Sequence, residues 1–350
     1  MPSEIRLTPT SYIVLGLIEF AGESTPYDLK QMVGEGLGQV WSIHHAQLYS
    51  EPERLAKAGF LHERREPGGR RRRYYKITKA GSEALSAWLV EPTTELTKAR
   101  VPSMLKLVLG SDPKQLGAAQ LPARQARLDE YEERLANLDP SAPRILRLLT
   151  ELGIEQQQEM VRYWTKLAGG ERPRQSPGTA KSNQISLTPN SYFVLHLVKS
   201  LGEATPYQLK RVAAVWDFWT MPHAQLYSEP ERLAKAGFLR ERREPGGRRR
   251  RYYKITRVGA KALRKWLAEP EFSADELRDL AVVKLLFGAD PKRLAEVQLP
   301  IHRERLAEYE ILLESLGGDE SSGPRAALEA GIAHERIFAG FWQRLIEDEG

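Results

Sequence analysis

The residues best suited to chemistry lie in one basic, aromatic-containing segment. The run HAQLYSEPERLAKAGFL brings His45, Gln47, Tyr49 and Ser50 into the first two turns of an expected helix, with Arg54 and Lys57 further along. Short or planar polar groups at that end of a helix can reach base edges in the major groove, and a glutamine amide matches the donor and acceptor of adenine. Next comes ERREPGGRRRRYYKIT, with Arg70, Arg71, Arg72 and Arg73 in a row. Guanidinium groups at a hairpin tip suit backbone phosphates or a narrow minor groove. The bland readings are a solvated helix face and an edge charged against aggregation. They are weakened because residues 45–78 recur as residues 223–256 with 33 of 34 positions the same, Arg240 replacing His62. The second set is thus His223, Gln225, Tyr227 and Ser228, with Arg232, Lys235, Arg248, Arg249, Arg250 and Arg251.

Charge follows the repeat. Residues 45–78 carry +5 and residues 223–256 carry +6, whereas the other 282 residues sum to −5. A basic element on a mildly acidic body is the footprint of a polyanion-binding patch. The chain has no cysteine, which removes disulfides, thiol nucleophiles and thiolate metal sites. It shows no apolar run long enough for a membrane span and no signal-peptide pattern, so a soluble cytoplasmic protein is expected. Its seven histidines lack metal-type spacing, and no serine elbow, carboxylate pair or phosphate loop is found. GEGLG at Gly34 does not join a strand to a helix and is missing from the second copy. Neither an enzyme nor a metal or cofactor is expected.

The elements that must position these residues are legible from caps and turns. Thr8-Pro9 predicts a helix start, Thr25-Pro26-Tyr27-Asp28 and Thr205-Pro206-Tyr207-Gln208 predict capping boxes, and Ser42 or Thr220 is the expected N-cap of the third helix. That helix should end before Gly59 or Gly237, keep Leu48 and Leu55 inside, and be bent or left short of a hydrogen bond at Pro52. Glu51 and Glu53 should point away from phosphates or accept from cytosine. Pro67-Gly68-Gly69 predicts the turn of a hairpin, and Thr78 the cap of a further helix. Three helices and a hairpin in this order make a winged helix-turn-helix.

The match between copies continues at offsets of 180 and then 178 residues, so the chain is a tandem duplication of a two-part protein. The expected division is a winged helix at 1–90, a helical association domain at 91–168, a flexible linker at 169–184, a second winged helix at 185–268 and a second association domain at 269–350. The tails are expected to hold long helices near 123–138 and 301–316. The fold class is mainly α with small β-hairpin wings, arranged as an intramolecular pseudo-dimer.

The pattern AQLYSEPERLAKAGF, the Tyr-containing capping box, the wing RRRRYYKITKAG and the tryptophan after it resemble the PadR family of transcriptional regulators. That resemblance implies a DNA-binding repressor, usually a dimer built through its tail. Pro52 and Pro230 depart from it, as does the tandem fusion. Family members that take planar aromatic effectors suggest an apolar pocket near Trp41, Trp88, Trp164, Trp219, Trp266 and Trp342, although core packing is the commoner use of such residues. The function expected is sequence-specific binding of double-stranded DNA at an inverted repeat by one chain. The alternative is a winged-helix adaptor for protein or RNA.

Overall fold

The computed structural model describes residues 5–35, 37, 40–66, 72–95, 98–169, 187–213, 219, 221–244, 250–269, 275–316 and 323–347. In the first copy, helices α1 (Pro9–Ala21), α2 (Pro26–Glu35) and α3 (His45–Lys57) precede strands β2 (Leu61–Arg65) and β3 (Arg73–Ile77) and helix α4 (Lys79–Val90). Strand β1 (Glu23–Ser24) lies between α1 and α2 and pairs with β3, a third strand that the hairpin reading did not include. The second copy repeats the plan with α8 (Pro189–Leu201), α9 (Pro206–Ala213), α10 (His223–Lys235), β5 (Leu239–Arg243), β6 (Arg251–Ile255) and α11 (Arg257–Ala268).

Local chemistry explains the boundaries. Thr8 and Ser11 cap each other reciprocally, Thr25 and Asp28 do the same for α2, and Thr78 accepts from the Gly81 N–H at the start of α4. Helix α3 begins later than its expected Ser42 cap. The Ser42 N–H donates to the Leu277 carbonyl, tying that residue to the other half of the chain, and His44 becomes an N-cap without a side-chain bond. Its counterpart in α10 is Pro222, and Thr220 lies outside the described residues. Pro52 and Pro230 remain inside their helices and are buried with the leucines. The strands of each wing are in register, Leu61 opposite Ile77 and Leu239 opposite Ile255. Residues 67–69 of the expected turn lie outside the described residues.

The tails form β4 (Lys98–Arg100), α5 (Pro102–Val108), α6 (Pro113–Ala136) and α7 (Arg144–Ala168), repeated as β7 (Glu276–Arg278), α12 (Leu280–Leu286), α13 (Pro291–Ser315) and α14 (Gly323–Glu347). Helix α6 starts ten residues before the expected boundary, because Asp112 caps it, Pro113 opens it, and Pro122 is tolerated in its interior. The expected linker begins at Gly169, whose φ of 64° closes α7; the rest of it lies outside the described residues.

The two halves are joined by reciprocal exchange. From the second tail, α12 inserts Leu280 and Val283 into the core of the first winged helix, beside Leu15, Ile18 and Trp88. From the first tail, Leu105 of α5 and Leu109 just after it insert into the core of the second, beside Phe193, Leu197 and Leu263. The opposite faces of these short helices pack on tail helices: Ala281, Val282 and Leu285 near Phe341 and Trp342, and Met104 and Leu107 near Trp164 and Ala326. Apolar residues on opposite faces of a helix need cover on both, which is why α5 and α12 lie between two layers, with Lys106 and Lys284 as their buried polar members.

Strands β4 and β7 pair antiparallel, Lys98 with Arg278, Ala99 with Leu277 and Arg100 with Glu276, so the 178-residue offset maps this ladder onto itself. Isolated bridges Trp41 to Arg278 and Arg100 to Trp219 obey the same exchange. Buried Lys284 donates to the Trp88 and Glu91 carbonyls, and buried Lys106 donates to the Glu269 carbonyl. Each ammonium also lies near an indole ring, Lys284 at 4.6 Å from the Trp88 centroid and Lys106 at 4.9 Å from that of Trp266. Burial lowers the Lys284 pKa, while the Glu91 charge opposes that shift. Equivalent contacts made twice with the donors exchanged are the mark of an approximate two-fold relation between halves of one chain.

Candidate nucleic-acid interface

Helix α3 divides its residues by face. Leu48, Pro52 and Leu55 are buried, whereas His45, Gln47, Tyr49 and Ser50 are exposed, and α10 repeats the arrangement with His223, Gln225, Tyr227 and Ser228. The helix period puts the polar groups together on the outside because the apolar positions are committed to α1 and α2. Tyr49 and Tyr227 leave 50% and 49% of their surface accessible. The Ser50 hydroxyl donates to the Ala46 carbonyl one turn back, which leaves its oxygen outward as an acceptor.

The basic residues separate into two groups. Arg54 donates to Glu51 and to the Ser11 hydroxyl at 2.9 Å, and Arg232 does the same with Glu229 and Ser191. Glu51 is therefore turned back toward α1. Burial raises its carboxyl pKa, but hydrogen bonds from Arg54 and Ser11 together with the Arg54 charge outweigh that and hold it below the usual carboxylate value. Glu53 joins Lys57 at 2.8 Å and Arg73 at 3.0 Å, fastening the wing to the helix, and Glu231 joins Lys235 and Arg251 in the same way. Lys57 still exposes most of its side chain beyond that pair. Arg72 and Arg250 are exposed at the ends of the wing strands, while Arg70, Arg71, Arg248 and Arg249 lie outside the described residues.

Some contributors were not evident as site residues in the sequence. Arg64 forms a two-bond pair with Glu23 and lies 4.4 Å from the Tyr74 ring centroid, bracing β1 against the wing. Asn190 donates to the Gln225 side chain at 2.8 Å and accepts from the Trp219 indole at 3.2 Å. The signal was the single change from LTPTSY to LTPNSY between the copies, in a segment that otherwise reads only as a helix start.

The six tryptophans expected near a pocket do not gather around one cavity. Trp41 and Trp88 belong to the first winged-helix core, Trp219 and Trp266 to the second, and Trp164 and Trp342 to separate tail cores. Trp88 stacks on Tyr12 at 4.7 Å and Trp266 on Tyr192 at 4.5 Å, so their faces serve packing. Two surface clefts, of about 220 Å³ near Arg144 and Lys292 and about 310 Å³ near Val90 and Arg293, contain no tryptophan. Among the described residues no group of three or more acidic or histidine side chains is placed to hold a metal, and no helix is long and apolar enough to cross a membrane.

The sequence is similar to known proteins. Residues 14–87 and 194–265 each match the model of the Transcriptional regulator PadR-like family. The curated Negative transcriptional regulator PadR of Bacillus subtilis (strain 168) is 33% identical over 142 residues, covering 37% of this chain and 76% of that protein. Among solved structures, Bacillus subtilis PadR in complex with operator DNA is 24% identical with a TM-score of 0.41, over 47% of this chain and 99% of that one. The same protein in complex with p-coumaric acid gives 25% identity and a TM-score of 0.37, over 47% and 97%. The chain belongs to the PadR-like family of transcriptional regulators, with two family units fused in one polypeptide.

Proposed function

We propose that this chain is a repressor that binds double-stranded DNA as a single polypeptide, placing α3 and α10 in the major grooves of the two halves of an inverted repeat. The observation that carries this reading is the two-fold exchange of α5 and α12 between the halves, which gives one chain two like reading helices. Two-fold protein symmetry is matched by a palindromic site, one reading helix to each half. His45, Gln47, Tyr49 and Ser50, with their counterparts in α10, read bases. Lys57, Lys235 and the wing arginines other than Arg73 and Arg251 contact backbone phosphates. Arg54, Arg232, Arg73 and Arg251 act mainly by fixing the helix and wing through their glutamate partners.

Binding in a salt series tests the reading. Log affinity should fall linearly with log salt, and replacing Arg72 and Arg250 with Ala should make the slope shallower by about 0.9 for each phosphate that is no longer neutralised. An unchanged slope would remove the wings from the interface. Binding to protein or RNA with no preference for any duplex sequence would favour the adaptor reading instead. Effector control by a small aromatic acid rests on family resemblance alone. Titrating p-coumarate into the operator complex should release the DNA, and retention across the titration would refute that part.

A further inference from the structure

The two reading helices have nearly the same sequence, yet the side chains behind them differ at one position that touches the reading face. Asn190, the second residue of α8, stands where the first copy has Thr10. An indole N–H can only donate, so Trp219 fixes the Asn190 oxygen toward itself and leaves the Asn190 amide N–H to face Gln225. That N–H donates to the Gln225 oxygen, which turns the Gln225 amide nitrogen away from the protein core. Trp219 is itself held, 3% exposed, in a bridge to Arg100 of the first tail. In the first copy Thr10 is too short to reach, and among the described residues the Gln47 side-chain amide has no partner.

We propose that Asn190 is a specificity-determining residue that makes the two halves of the operator different. Resting on the DNA-reading proposal above, the inference assigns distinct chemistry to each glutamine. Gln47 is free to turn its amide and bond adenine through both nitrogen and oxygen. Gln225 has its oxygen turned to Asn190, which disfavours the two-bond pair with adenine and leaves its amide N–H as a donor suited to a guanine acceptor, O6 or N7. The preferred site is therefore an imperfect inverted repeat, with adenine under α3 where guanine lies under α10.

In vitro selection from a library randomised in both half-sites tests this with the full chain and with two single variants. The wild-type chain should select an asymmetric site, in which exchanging guanine for adenine in the α10 half weakens binding about 5- to 150-fold. Asn190→Thr should give adenine in both halves, and Thr10→Asn should give guanine in both. A symmetric site selected by the wild-type chain, or an asymmetric one kept unchanged by Asn190→Thr, would overturn the inference. Failure of the DNA-reading proposal looks different: none of the three proteins would enrich any sequence, and the inference would fall with it. Thermal unfolding of each variant close to the wild type confirms that a changed preference does not reflect a damaged fold.

Discussion

At the scale of single residues, exposure and bonding separate groups that can meet DNA from groups that hold the meeting surface in place. Gln47 belongs to the first kind. Gln47→Ala should cost roughly 1–3 kcal/mol on the preferred operator and little on random duplex, as measured by competition binding. Equal losses on both DNAs would assign it to positioning. Glu51 and Glu229 belong to the second kind. Their folded pKa values lie below the ordinary 4.5, so on acidification the unfolded chain takes up protons first and stability falls with pH. This contribution is fully present above the unfolded value and drains as the pH drops through the depressed folded values. The double variant Glu51→Gln, Glu229→Gln should therefore lose stability less steeply than the wild type on acidification below about pH 4.5. Urea midpoints across that range check it, and parallel curves would contradict it.

At the scale of elements, the exchanged helices are the most demanding fit. Gly16 in α1 faces the Phe287 ring just beyond α12, and a Cβ added there would meet ring atoms at 2.7 Å. Gly16→Ala should cost about 1–3 kcal/mol of stability by overpacking, read from chemical unfolding, whereas a neutral result would show that α12 does not seat as described. In the second copy His196 takes the place of Gly16 and Leu109 that of Phe287, a larger residue against a smaller one. Burial holds His196 uncharged, its pKa lowered to about 4. Caps and turn residues made the winged helices readable in advance, because those signals act over three or four residues. The exchange of α5 and α12 was not readable. A mostly apolar helix of seven residues announces that it is buried without saying against what, and its partners in the other copy lie far away along the chain. The same limit hid the β4 to β7 ladder, which exists only once the halves have met, and the Asn190 relay joins residues 29 and 35 positions apart within the second copy. Even within the basic run, the sequence alone did not separate Arg73, held by Glu53, from Arg72, which remains exposed.

At the scale of the whole molecule, fusion changes how the two readers find each other. Two separate chains must associate before they can present a pair of helices, and dilution opposes that step. A tether makes the association intramolecular, at an effective concentration that reaches the mM range for short flexible connections. Here each tail also packs apolar residues into the other copy's hydrophobic core. The chain should thus remain a monomer on dilution and still cover both halves of its operator. The most direct measurement is light scattering of the free protein and of its complex with one operator duplex, at protein concentrations down to the nanomolar range where native mass spectrometry can extend it. One chain per duplex at every concentration is the result this account predicts; two chains on one operator, with free protein that dimerises before it binds, would contradict it.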